Sequence, residues 1–117
     1  MKLVTRKQLM EMPDGTLYNE WVPAFFGPLC IKTRSIPNLT AGGFCDWEVQ
    51  HVPEIGGADV MMDKLAAGEA VDIDFKLTGR EGLFDDEARY AVWSREDVYR
   101  FREVLTQSII STAPQPD

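Results

Sequence analysis

The chain has 117 residues, 44% of them hydrophobic and 26% charged, with a formal net charge of −7 at pH 7. These values predict one globular domain over residues 1–111, and they exclude a chain too polar to bury a core. The sequence TAPQPD predicts a flexible tail over 112–117. The acidic balance disfavours direct binding to nucleic acid, and no apolar run approaches the roughly 18 residues of a membrane span, so we expect a soluble cytoplasmic protein.

The first half of the chain alternates between β-forming runs and turn signals. Thr5 and Gln8 form a capping-box pattern that predicts a short helix, which the turn residues Pro13, Asp14 and Gly15 should end. Three later runs rich in β-formers predict strands, and the first two are close enough in sequence to form a hairpin. The expected elements are a helix over 5–12 and strands over 16–22, 29–34 and 44–51.

The second half of the chain predicts two helices and two more strands. Apolar and polar residues alternate over 71–77, which predicts a strand with Phe75 buried and with Asp72 and Asp74 exposed. Ser94 begins a second capping box ahead of an apolar repeat with helical spacing. The expected elements are helices over 59–67 and 95–111 and strands over 71–77 and 89–93.

These elements follow the order α-β-β-β-α-β-β-α and have short connections. They predict an α+β fold with a largely antiparallel sheet of about five strands and with the helices packed mainly on one face. Alternation places Trp47 and Trp93 in the core. We expect Cys30 and Cys45 to be reduced, buried thiols rather than a disulfide.

The negative charge is concentrated in the middle of the chain. Residues 46–87 contain twelve acidic and three basic side chains, so this segment alone carries −9. If it folds onto one face, that face repels nucleic acid and attracts basic protein surfaces. The carboxylates expected to form this partner-binding face are Asp72, Asp74, Asp85, Asp86 and Glu87, and Asp46 and Glu48 are additional candidates.

No catalytic or cofactor motif accompanies this charge. His51 is the only histidine, so any nucleophile–base pair must include it. Cys30, Cys45 and His51 offer zinc ligands, but their spacing follows no zinc-site pattern. The glycine pairs do not form a phosphate-binding loop. We therefore expect no enzymatic activity, no cofactor and no metal site.

Aromatic residues provide a second candidate surface. Trp21, Phe25 and Phe26 flank a connection that contains proline and glycine, and the sequence leaves open whether they form core or binding surface. If they form a surface, they contribute to partner binding, or they line a pocket that sequesters a nucleotide signal. In that alternative the phosphate contacts are Lys32, Arg34 or Arg80.

Two stretches carry a family resemblance. The first reads RKQLMEMPDGTLY over 6–18 and FGPL over 26–29, and the second reads GLFDDE over 82–87, AVW over 91–93 and DV over 97–98. Together they resemble short uncharacterised proteins of tailed phages and prophages. The resemblance implies a small accessory protein in the cytoplasm of a bacterial host, where some such proteins, including several anti-CRISPR proteins, disarm defences without catalysis.

Charge and resemblance lead to the same expectation. A groove that binds DNA phosphates is lined by lysine and arginine, and an array of carboxylates can pair with the same side chains. We therefore expect a non-enzymatic inhibitor that binds a basic surface of a host nucleic-acid-handling complex. The sequence leaves the oligomeric state open.

Overall fold

The structure is a computed structural model that describes residues 1–23, 25–55 and 58–114, except the side chains of Phe25 and Ala58. The predicted break at Gly56 and Gly57 and the last three residues of the predicted tail lie outside this description. The strands are β1 (Lys2–Thr5), β2 (Leu17–Val22), β3 (Phe25–Pro37), β4 (Phe44–Val52), β5 (Gly79–Arg80) and β6 (Arg89–Val92). The helices are α1 (Arg6–Met10), α2 (Ala58–Ala66) and α3 (Arg95–Ser111).

The described strands form one antiparallel sheet in the order β1-β6-β2-β3-β4-β5. The predicted α+β class and antiparallel sheet are therefore confirmed. The meander β2-β3-β4 is the centre of the sheet, and its register pairs Tyr18 with Cys30 and Cys30 with His51. Because paired residues point to the same side of a sheet, these three side chains share one face.

The core lies on that same face, beneath α1. The rings of Tyr18, Trp47 and Tyr90 meet edge to face, with centroid distances of 6.4, 5.6 and 5.5 Å. Trp47 Nε1 donates to the hydroxyl of Tyr18 at 3.0 Å, so burial leaves neither polar group unpaired. Leu9 and Met10 of α1 belong to the same buried cluster, as do Val4, Cys30, Val49 and Val92.

Both predicted capping boxes are confirmed. The N–H of Gln8 donates to Thr5 Oγ1, and Gln8 Oε1 accepts from the N–H of Thr5. Ser94 and Asp97 make the same reciprocal pair at the start of α3. Each box satisfies two N–H groups that a helix start otherwise leaves unpaired.

α3 meets the sheet at its first turns only. Phe101 contacts the half-buried Trp93 at a centroid distance of 5.3 Å, and no residue of α3 is fully buried. Trp93 Nε1 donates to Asn19 Oδ1, and Asn19 points away from the face that carries Tyr18. α3 therefore begins on the side of the sheet opposite α1.

Among the helices of the described residues, none combines the length and the apolar character of a membrane-spanning segment.

The strand predicted over 71–77 is wrong, because this stretch is irregular. Asp74 Oδ1 accepts from the N–H groups of Lys76 and Leu77, at 2.8 and 2.9 Å, and so competes with a strand ladder for these donors. Asp74 is half-buried rather than exposed, and Phe75 is 67% exposed rather than buried. The sequence patterns also missed β1 and the two-residue β5, which lies in a predicted loop.

Replacing Phe75 with alanine should therefore lower the free energy of unfolding by less than about 1 kcal/mol, because a largely exposed ring leaves little cavity behind. Urea denaturation of the wild type and the variant measures this difference. A loss of about 3–5 kcal/mol, the range for a buried phenylalanine, would show that residues 71–77 pack as the predicted strand.

Candidate functional site

The carboxylates predicted to bind a partner lie in the irregular chain on either side of β5. Asp72, Asp85, Asp86 and Glu87 are exposed, and Asp74 is half-buried. Among the ion pairs formed by the described residues, none includes any of these five. Their negative charge is therefore not neutralised within the described part of the molecule.

These carboxylates follow the edge of the sheet and do not form one compact face. The N–H of Asp74 donates to the carbonyl of Glu54 at 2.6 Å, and that of Glu81 donates to the carbonyl of Trp47 at 3.0 Å. Trp47 lies within β4 and Glu54 lies two residues beyond its end, and the five residues of strand from Trp47 to Val52 alone span roughly 17 Å at about 3.3 Å per residue. The predicted single acidic face is thus an extended edge.

Apolar side chains are exposed in the same stretch, which we call the acidic segment (residues 69–87). Large apolar side chains that remain exposed are candidates for contact with a partner. Five large apolar side chains of the acidic segment have exposed fractions between 42% and 73%. These side chains are Ile73, Phe75, Leu77, Leu83 and Phe84.

Asp46, predicted to belong to the acidic face, is instead 0% exposed and anchors the acidic segment. It accepts from Arg80 Nε at 3.0 Å, from the N–H of Gly82 at 3.2 Å and from the N–H of Trp47 at 2.9 Å. Burial raises the pKa of Asp46, but these donors outweigh it and hold the pKa below its ordinary value of 3.8. Asp46 is therefore a structural anion.

Arg6 of α1 completes this buried ion network. Its Nη2 donates to the carbonyl of Cys45 at 2.9 Å and lies 3.5 Å from a carboxylate oxygen of both Asp46 and Glu81. The guanidinium also lies over the ring of Trp47, 5.1 Å from its centroid. Burial raises the pKa of Glu81 even though Arg6 is near. The network thus joins α1, β4 and the acidic segment.

The aromatic residues and cations of the predicted nucleotide pocket are not brought together. Trp21, 41% exposed, stacks edge to face on the exposed Phe26 at 5.7 Å at the end of the β2–β3 hairpin; the side chain of Phe25 lies outside the description. Lys32 is buried and is six residues from Phe26 along β3, roughly 20 Å. Each cation pairs internally: Lys32 with Asp14 at 3.7 Å, Arg34 with Glu48 at 3.2 Å and Arg80 with Asp46 at 3.0 Å.

A cluster that the spacing of the sequence did not reveal lies at the same end of the sheet. The ligand atoms of Glu20, Cys30 and His51 all lie within 4.8 Å of one another, on the neighbouring strands β2, β3 and β4. Cys45, predicted as a possible third zinc ligand, lies at the other end of β4, where its thiol donates to the carbonyl of Ile36 at 3.6 Å. The third candidate metal ligand beside Cys30 and His51 is therefore Glu20 and not Cys45.

The thiol in this cluster is not an activated nucleophile. Burial and, to a smaller extent, the neighbouring Glu20 carboxylate raise the pKa of Cys30 to about 12. A catalytic cysteine needs the opposite environment, in which nearby positive charge favours the thiolate. His51 Nδ1 lies 3.5 Å from Glu54 Oε2, so the imidazole has a carboxylate partner on one of its nitrogens.

No family model, curated protein or solved structure matches the chain. The charge, exposure and geometry of its own residues are the remaining indications of function. Two features stand out among them: the acidic segment with its exposed apolar side chains, and the cluster of Glu20, Cys30 and His51.

Proposed function

We propose that the chain is a non-enzymatic protein-binding module whose acidic segment contacts a lysine- and arginine-lined surface of its partner. The supporting observation is the combination, within residues 69–87, of six carboxylates outside the ion pairs of the described residues, which are Glu69 and the five predicted ones, and five exposed large apolar side chains. The carboxylates attract a basic surface at long range, and covering the apolar side chains gains free energy. A segment that served only to keep the protein in solution would need the charged side chains but not the exposed apolar ones.

The partner we propose is a nucleic-acid-handling complex of a bacterial host, and the chain would inhibit it. Duplex DNA carries a phosphate every 3.4 Å along each strand, so a groove that binds it offers basic side chains over a long track. Carboxylates distributed along roughly 17 Å of the sheet edge match about five such steps. The resemblance to phage accessory proteins supports this setting.

The buried network of Arg6, Asp46 and Glu81 supports the proposal in a second way. It joins the acidic segment to β4 at Gly82 and Arg80, so this part of the segment is ordered before a partner arrives. Order that exists before binding lowers the entropy that association loses. A carboxylate array held in this way is better suited to a rigid basic groove than a freely moving loop is.

Neutralising Asp85, Asp86 and Glu87 together, as Asn, Asn and Gln, should leave folding intact and weaken partner binding, mainly through slower association. Each charge pair lost at a desolvated contact is worth about 1–3 kcal/mol, and a pair at the rim is worth less. The experiment captures partners from bacterial lysate on the wild type and on this variant. DNA is then added, because a partner held through its DNA groove should be released by it.

The control for this experiment removes the same number of charges outside the acidic segment: Asp63→Asn, Glu96→Gln and Glu103→Gln, all on exposed helical positions. This variant should retain the partner. The proposal fails if both variants capture the partner equally, or if saturating DNA leaves the captured complex intact.

A further inference from the structure

We propose that Glu20, Cys30 and His51 form a binding site for a divalent transition-metal ion of the zinc type, with Glu54 as a positioning residue for the imidazole. The acidic segment supplies none of the three ligands, although the N–H of Asp74 donates to the carbonyl of Glu54, so the site is tested independently of the proposed function. The three side chains supply a carboxylate oxygen, a thiol sulfur and an imidazole nitrogen, which are the three ligand types that zinc uses in proteins.

The strand register brings the three ligands together. Cys30 pairs with His51 across β3 and β4, so their side chains are neighbours on one face. Glu20 follows Tyr18 by two residues on β2, and Tyr18 pairs with Cys30, so the carboxylate points to the same face. The ligand atoms are within 4.8 Å of one another, and a tetrahedral ion needs them roughly 3.5 Å apart. Side-chain rotation supplies the difference, because the imidazole is 45% exposed.

A bulge in the hairpin fits the position of Glu20. The β2–β3 register shifts between Asn19 and Trp21, where Gly27 and Pro28 of β3 lie opposite Glu20. A Cβ atom at Gly27 would lie 2.8 Å from the Cβ of Glu20, so only glycine lets the two strands approach this closely. Proline fits here because a bulged residue needs no ladder N–H. Bulges of this kind re-aim side chains beside binding sites.

The surroundings match what a bound ion requires. His51 Nδ1 faces Glu54 at 3.5 Å, which leaves Nε2 available as the ligand atom and gives the ring the carboxylate partner that ligating histidines have. Binding forms the Sγ–metal bond as the thiol proton leaves to solvent, so the thiol becomes a thiolate ligand. Three protein ligands leave one tetrahedral position for water.

Cobalt(II) tests this site, because a thiolate ligand gives a sulfur-to-cobalt charge-transfer band and a tetrahedral site gives intense visible bands. Titration of the full chain, freed of metal with a chelator, should show both, saturating at one equivalent. Cys30→Ser should lose the charge-transfer band. The matched control is Cys45→Ser, which removes the other free thiol and should keep it. A wild type without the band, a Cys30→Ser variant that keeps it, or a Cys45→Ser variant that loses it overturns the proposal.

A second measurement decides the matter if Cys30→Ser does not fold. Saturating Zn²⁺ should raise the Tm of the wild type by roughly 5–10 °C. His51→Gln changes a partly exposed side chain, so it should fold, and it should lose this rise and bind cobalt at least 100-fold more weakly. Zinc binding by exposed carboxylates would stabilise His51→Gln as much as the wild type, and that result overturns the proposal.

Glu54→Gln tests the positioning role. It should keep the charge-transfer band at saturation while weakening affinity roughly 10- to 100-fold, as second-layer substitutions do. Unchanged affinity removes Glu54 from the site.

Discussion

Replacing Trp47 with alanine should lower the free energy of unfolding by about 3–5 kcal/mol. Trp47 is fully buried and touches Tyr18, Tyr90 and Arg6, so its removal leaves a cavity at the centre of the aromatic cluster. It also removes the indole N–H that donates to the hydroxyl of Tyr18, which leaves a buried hydroxyl without that partner. Domains of this size are stable by only about 5–15 kcal/mol, so the variant should be partly unfolded at 37 °C.

Urea denaturation followed by far-ultraviolet circular dichroism measures this loss. Trp21→Ala is the matched control, because it removes the same side chain from a position that is 41% exposed at the hairpin end. It should lower the free energy of unfolding by about 1 kcal/mol. Losses of similar size for the two variants would mean that the Tyr18–Trp47–Tyr90 cluster is not the main core.

Local signals predicted the elements that depend on local interactions. The two capping boxes at Thr5 and Ser94 start α1 and α3 as expected, because both partners of each box lie within four residues. The hairpin of β2 and β3 and the strand β4 also follow their local patterns. The short strands β1 and β5 were not predictable in this way, because each exists only through pairing with a strand distant in sequence.

The alternation of apolar and polar residues over 71–77 led to a wrong strand prediction, because two different structures produce the same alternation. An amphipathic strand and an exposed loop with regularly spaced apolar side chains share the same pattern. Here the side chain of Asp74 takes the N–H groups of Lys76 and Leu77, and the stretch remains irregular. The apolar residues predicted to be core thus became the exposed part of the acidic segment.

The candidate sites were predictable only in part. The exposed charge of Asp72, Asp85, Asp86 and Glu87 follows from composition and agrees with the structure. The grouping of Glu20 with Cys30 and His51 depends on strand register and on a bulge, which spacing along one chain does not encode. The burial of Asp46 likewise depends on distant residues.

Asp46→Ala should lower the free energy of unfolding by about 3–5 kcal/mol, because it breaks a buried ion pair and leaves the opposite charge in place. Arg6 would keep the carbonyl of Cys45 and the carboxylate of Glu81, but would lose the anion 3.5 Å away. The N–H of Gly82 would lose its acceptor, so the acidic segment should detach from β4 and its amides should exchange faster with solvent.

The matched control is Glu48→Ala, two residues along the same strand. Glu48 pairs with the exposed Arg34 at 3.2 Å, and a pair of that kind contributes about 0–1 kcal/mol. If Asp46→Ala and Glu48→Ala lower the free energy of unfolding by the same amount, Asp46 does not stabilise the fold through a buried ion pair with Arg6. Arg6→Met combined with Asp46→Ala should be less destabilising than the sum of the single variants, because the second change removes the guanidinium that the first leaves without its anion. Glu81, which loses Arg6, and Arg80, which loses Asp46, keep the double variant less stable than the wild type.

Acid titration adds an independent test of the same network. The pKa of Asp46 lies below 3.8 in the folded protein, so its stabilising contribution is present above pH 3.8 and is lost as the pH falls through the lower folded value. The pKa of Glu81 lies above 4.5 in the folded protein, so as the pH falls toward 4.5 the folded state binds this proton before the unfolded state does, and folding becomes more favourable. The effect of Glu81 is therefore opposite in sign to that of Asp46. The wild type should therefore lose stability mainly below about pH 4, measured as the urea midpoint between pH 7 and pH 2.

Asp46→Asn should have a lower urea midpoint at pH 7, and its midpoint should decline less steeply below pH 4, because position 46 then has no carboxylate to protonate. If both proteins decline in parallel below pH 4, the stabilising anion in this network is not Asp46.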